Sequence, residues 1–244
     1  MIESVDTLKV VEAVRVLPIP YSLKSDDVIA GILLFCFILS AYILARSKKF
    51  LWQQGKSYFL HKERISLFVS STATDMRYLL LLILQTCLLL GLFFLCYFTD
   101  NTPELTDHVS HHLLLAIYTG ICLLYLAVKW VVYSFLGWTF FDKNYTNLWL
   151  ESYSTLIYYL GFFLFPFILL IIYFEVSIAV LVTIGLSVLI FTKLLMFYKW
   201  LKFFFNNING VFLLILYFCA LEIIPCFILF KGMIFINSML LIKF

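Results

Sequence analysis

The chain has 244 residues, of which 64% are hydrophobic, 19% aromatic and 13% charged, with a formal net charge of +3 and a mean hydropathy of +1.05. Soluble domains carry roughly 45–50% apolar and about 25% charged residues, so this composition excludes a water-soluble globular domain and reads as an integral membrane protein. The positive surplus is too small and dispersed to suggest a nucleic-acid partner.

Residues 1–27 form an outer N-terminal arm. Val5, Leu8, Val11 and Val14 recur at helical spacing before Pro18-Ile19-Pro20 stops any helix. Glu3, Asp6 and Glu12 interrupt the arm, and no apolar stretch follows a basic start, so a cleaved signal peptide is not expected. Residues 28–244 read as one transmembrane domain. A helix needs about 20 mostly apolar residues to cross roughly 30 Å of hydrocarbon. Six stretches meet that requirement: Val28 to Leu44, Tyr78 to Phe98, His112 to Phe135, Leu156 to Phe174, Ser177 to Met196 and Val211 to Phe230. Backbone polar groups in lipid must be satisfied within their own segment, so the fold class is all-α, a polytopic bundle of six spans.

Two connecting stretches carry a pattern of their own. Residues 45–77 form a basic inner loop, where Lys48, Lys49, Lys56, Lys62 and Arg64 mix with Phe50, Leu51, Trp52, Phe59 and Ile65. This reads as a membrane-hugging segment attracted to anionic lipid. Between Trp130 and Ser154 the chain is aromatic and weakly charged, which suits a helix end followed by a segment in the inner headgroup layer.

Orientation follows from the basic residues. With the N-terminus outside, 12 of the 17 Lys and Arg fall on inner loops and helix ends, seven of them between Ala45 and Arg77. The outer loop from Thr99 to His111 has none and carries Asp100, Glu104 and Asp107. Both termini are therefore expected outside. Trp52, Trp130, Trp138, Trp149 and Trp200 all map to the inner side, where they read as interface anchors.

Two constellations could carry chemistry. Glu222 lies about 11 residues into the sixth expected span, roughly 16 Å deep and near the midplane. A carboxyl group there costs about 2.5–3.5 kcal/mol on insertion scales and is rarely left facing lipid. Pro225 removes the N–H that would bond the Leu221 carbonyl, placing a free acceptor beside the carboxyl group in a weakened helix. Glu222 and Pro225 are thus candidates for proton or cation handling, or for a hydrogen-bonded lock between helices, and the lock is preferred. Lys129 and Lys193 are expected near the inner ends of spans three and five, free to snorkel and out of reach of a midplane carboxylate.

The second constellation is His108, His111 and His112 with Glu104 at the outer entry to span three. At i, i+3 and i+4 the imidazoles could converge on a metal, but a polar helix cap accounts for them more simply. The six cysteines fall inside apolar runs without ligand or disulfide spacing, and read as small packing residues. No histidine lies deep enough for haem, and there is no phosphate loop or selectivity-filter motif. No cofactor is expected, and enzyme is the least supported class.

The run Leu216-Tyr217-Phe218-Cys219-Ala220-Leu221-Glu222-Ile223-Ile224-Pro225, near the C-terminus of a six-span chain of this size, resembles the Bacteroidota inner-membrane family known as domain of unknown function 4271. The resemblance implies a bacterial inner (cytoplasmic) membrane and supplies no reaction or substrate. The leading expectation is a non-enzymatic accessory or scaffold subunit of a membrane assembly, with lipids and other membrane subunits as partners. The alternative is a small secondary transporter or channel using Glu222.

Overall fold

The structure, a computed structural model, describes residues 23–59, 73–102, 105, 109–140, 143–174, 176–204 and 217–243. The N-terminal arm up to residue 22 lies outside the described residues. The described chain is helical, without strands, and is all-α as expected. After a short 3-10 turn at Leu23–Ser25 come α1 (Asp27–Phe59), α2 (Ala73–Asn101), α3 (His111–Phe140), α4 (Lys143–Tyr173) and α5 (Ile178–Phe204). A π-helical turn at Cys219–Ile223 then leads into α6 (Ile224–Lys243). Six of these segments are long and apolar enough to cross a membrane: Asp27–Lys49, Arg77–Asn101, His111–Thr139, Trp149–Tyr173, Ala179–Lys199 and Cys219–Ile242. The protein is a multi-pass membrane protein.

Successive helices alternate in direction. One end of the bundle, here the basic end, receives the C-terminal parts of α1, α3 and α5, with Arg46, Lys48, Lys49, Lys56 and Lys199. The opposite end holds the starts of α1, α3 and α5 and the last turn of α6.

Three expectations change. The first helix does not give way to a loop at residue 45. It runs on to Phe59 with a kink at Ser47 (φ −116°, ψ 21°), so the basic stretch up to Phe59 is helical. Residues 60–72 lie outside the described residues. The kinked extension is docked by polar contacts: the Tyr159 hydroxyl donates to the Leu51 carbonyl (2.8 Å) and Gln54 donates to Glu151 (2.5 Å). Lys199 donates to the Tyr58 carbonyl (2.9 Å) and the Tyr58 hydroxyl to the Leu195 carbonyl (2.9 Å), tying α1 to α5. Apolar helix contacts are weak discriminators in lipid, so such bonds set position.

The second change concerns the segment from Trp130 to Ser154. It is helical on both sides of a short link, because α3 continues through Phe140 and α4 has begun by Lys143. The third concerns the end of the sixth span, which was expected at Phe230 and among the described residues lies at Ile242. Residues 205–216 lie outside the described residues.

Helix α2 is the hub. It packs against α3 and α4 along much of its length and also touches α1 and α5. Close approach to α4 depends on Gly161: a Cβ there would collide with the Thr86 Oγ1. That hydroxyl donates to the Leu82 carbonyl (2.8 Å) and approaches the Ile157 carbonyl of α4 (3.3 Å). Small residues let membrane helices approach closely enough for such bonds. The main apolar core, with Leu89, Leu92, Tyr118 and Ile168 fully buried, fills the half of the bundle nearer the opposite end. A separate aromatic cluster of Tyr58, Tyr133, Trp149 and Tyr153 fills the basic end.

Candidate functional site

Helix α6 packs mainly against α3, and its outward face shows Ile224, Phe227, Ile228 and Phe235. Three polar contacts pin it and the π turn before it to α3, one of them between the Tyr125 hydroxyl and the Cys226 sulfur. Toward the opposite end the buried Tyr118 hydroxyl donates to the Asn237 side-chain carbonyl (2.9 Å). Toward the basic end the Glu222 carboxylate, fully buried, accepts a hydrogen bond on Oε2 from Lys129 of α3 (2.5 Å). The same oxygen accepts a second bond from Lys193 of α5. Three helices therefore meet at one carboxylate oxygen.

The local backbone explains how Glu222 gets there. Pro225 cannot donate to Leu221, and its ring crowds that carbonyl. The chain responds with a wider turn: the Ile224 N–H reaches back five residues to the Cys219 carbonyl, and the α-helix then continues through Pro225. The sequence suggested a break; the structure has a π turn without interruption of the helix. Such turns are rare and frequent at functional sites.

Depth is the main correction. Glu222 lies 20 residues before the far end of its span at Ile242, so about 30 Å from that end and toward the basic end, not at the midplane. The lysines sit where the sequence put them, but they turn inward. Shifting the sixth span brings the carboxylate to their level, so Lys129 and Lys193, set aside as snorkelling side chains, are its partners.

Lys129 is enclosed further. Its ammonium stands 5.5 Å from the ring centroids of Tyr125 and Tyr133 and 5.6 Å from that of Tyr153. Aromatic faces attract a cation most strongly where water is excluded. Tyr133 packs edge-on against Tyr153 and Trp149, holding the cage. The Tyr125 hydroxyl lies 3.4 Å from the Cys226 sulfur. Lys193 is less enclosed, with its side chain 20% exposed against 6% for Lys129. Glu222 Oε1 and the Tyr133 hydroxyl are buried without a hydrogen-bond partner among the described residues. The signal for the cage was present in the sequence: Tyr125, Lys129 and Tyr133 recur at i, i+4 and i+8 on one helix face. Tyr153, from α4, had no such signal.

The histidine group is only partly in view. His108 and Glu104 lie outside the described residues. His112 lies 3.9 Å from Asp26, joining the starts of α3 and α1. Among the described residues no three His, Cys, Asp or Glu side chains converge as a metal site. Of the tryptophans, Trp52, Trp130 and Trp138 are exposed on the surface of the bundle. Trp149 is instead buried in the aromatic cluster, because its indole supports Tyr133. The Trp200 side chain lies outside the described set. Four cysteines, Cys36, Cys87, Cys96 and Cys122, are buried and free.

Fold and site together define a six-span membrane protein with an ionic cluster inside its bundle. The chain belongs to the family described as Domain of unknown function (DUF4271), whose sequence profile matches residues 29–233 and so takes in Lys129, Lys193 and Glu222. No curated protein and no solved structure matches the chain.

Proposed function

We propose that the protein is a small secondary transporter or channel that handles protons or cations at the Glu222 cluster. The observation that supports this is the meeting of Lys129, Lys193 and Glu222 inside the bundle. Stability alone is a poor reason to keep such a cluster, since apolar residues of similar volume commonly replace buried ion networks at no loss or with a gain of about 1–4 kcal/mol. Ionisable groups inside spans default to function. The position toward the basic end suits a relay or gate reached from that end.

Purified protein in vesicles provides the test. Wild type should support proton or cation flux, and Lys129→Met/Lys193→Met/Glu222→Leu should remain folded and support none. A wild-type protein that carries no flux of either kind would overturn the reading.

A second reading has its own observation. Among the described residues helix α6 packs chiefly against α3 and shows an apolar outward face, which favours an accessory or scaffold subunit whose partners are other membrane proteins. Under it the triple variant keeps any co-purifying partner and the wild type carries no flux.

We also place the protein in a bacterial inner membrane, of Bacteroidota type, with both termini outside. Seven basic residues between Ala45 and Arg77 support that orientation. Reporter fusions after Asp100 and at the C-terminus should read outside, and fusions after Gly55 and Asn206 inside. The reverse signal at Gly55 would invert the topology.

A further inference from the structure

The cluster does not balance its charges. One carboxylate faces two ammonium groups, and both bond the same oxygen, Oε2. An extra positive charge in a water-poor interior is costly, and a basic group in that position lowers the cost by giving up a proton. The geometry says which lysine is better held as a cation. Lys129 has the carboxylate and three tyrosine faces, and it is the more enclosed of the two. Lys193 shares the oxygen with a competing ammonium, has no ring against it among the described contacts, and is the member that reaches the surface of the bundle.

We infer that the species handled at this site is a proton rather than a metal cation, and that Lys193 is the group that carries it. The inference rests on the charge-handling reading above and narrows it. A metal cation would have to approach Glu222 against two ammonium groups, and the aromatic faces are already occupied by Lys129. A proton meets neither obstacle. Loading adds a proton to the Nζ lone pair of Lys193 and takes the cluster from neutral to singly positive. Unloading breaks one N–H bond, leaves the electron pair on Nζ and passes the proton to water. Glu222 stays ionised beside Lys129 in both states.

The groups that face Lys193 are Glu222 from the π turn, Cys226 from α6 and Lys129 from α3, with Tyr125 next to Cys226 and Tyr153 of α4 against Lys129. Glu222 holds the proton on Lys193, whereas Lys129 drives it off.

Two measurements test this. Nitrogen NMR of lysine-labelled protein in detergent, over a pH range in which exposed lysines remain ammonium, should show one neutral amine that becomes ammonium as the pH falls, and this signal should be missing from Lys193→Met. Lysines that are all ammonium across that range, or a neutral amine that persists in Lys193→Met, would overturn the assignment. Should Lys193→Met not fold, Lys193→Gln serves the same comparison. In vesicles with a pH-sensitive dye, wild type should move protons and be indifferent to sodium, potassium or calcium, and Lys193→Met should lower the proton rate at least tenfold. Flux of a metal cation, or proton flux that survives Lys193→Met, refutes the inference and leaves the broader reading intact. Absence of any flux in wild type refutes the broader reading, and the NMR result then stands or falls alone.

Discussion

Replacing Glu222 by leucine is expected to lower stability by about 3–5 kcal/mol, because it removes the one negative charge facing two buried or half-buried lysines. The loss arises from what is left behind. Lys129 keeps its tyrosine cage but has no anion, and Lys193 must either swing outward or stay neutral. The Lys129→Met/Lys193→Met/Glu222→Leu protein should in contrast match wild type or exceed it, since no uncompensated charge remains. Glu222→Gln falls between the two. As a simple hydrogen-bonded lock, Glu222 would tolerate an amide; facing two ammonium groups, it supplies charge that an amide lacks. Thermal unfolding in detergent, followed by tryptophan fluorescence and gel filtration, would order the four proteins. A triple variant as unstable as Glu222→Leu would show that the cluster stabilises the bundle through its geometry and not only through charge balance.

Gly161→Val should cost about 1–3 kcal/mol through overpacking at the contact between α2 and α4. The added Cβ meets the Thr86 Oγ1, and that hydroxyl cannot move aside without giving up its bond to the Leu82 carbonyl. Helix α2 is the hub, so a displacement here reaches every helix that leans on it. Gly120→Ala supplies the control. Nothing lies near its added Cβ, and removing a helical glycine is mildly favourable, by up to about 1 kcal/mol. Unfolding curves of the two variants beside wild type test the contrast. A Gly161→Val protein as stable as wild type would mean that α2 and α4 have freedom to separate.

The legible part of this protein is what a bilayer demands of any chain. Length and hydropathy determined the six spans, because a segment that leaves lipid for water changes its composition wherever it does so. Five of the six expected spans overlap the structural ones closely. The sixth was ended about 12 residues too early, at Phe230 where the helical span runs on to Ile242, since the apolar run from Val211 to Ile242 is longer than a bilayer is thick and hydropathy alone does not choose a window within it. That single shift changed the reading of the site, moving Glu222 from the midplane to the level of two lysines. Helix ends beyond the membrane were equally hard to read. The extensions of α1 to Phe59 and of α3 to Phe140 are amphipathic and aromatic, and such residues suit an interfacial loop as well as a helix.

Glu222 stood out in the sequence because a carboxylate in an apolar run is expensive wherever it lies. Lys129 and Lys193 were visible too, but each had an adequate explanation of its own in snorkelling. Only the tertiary structure decided that the three belong together, because their separation of 93 and 29 residues along the chain carries no information about proximity. The same holds for Tyr153 in the cage and for Trp149, which a linear reading sends to the headgroups and the packing of α4 against α3 draws inward. The composition of each segment determined that it must span, since every residue is tested against lipid separately. Which faces meet was decided by contacts between helices, where small residues, ion pairs and aromatic edges act only once the bundle has closed.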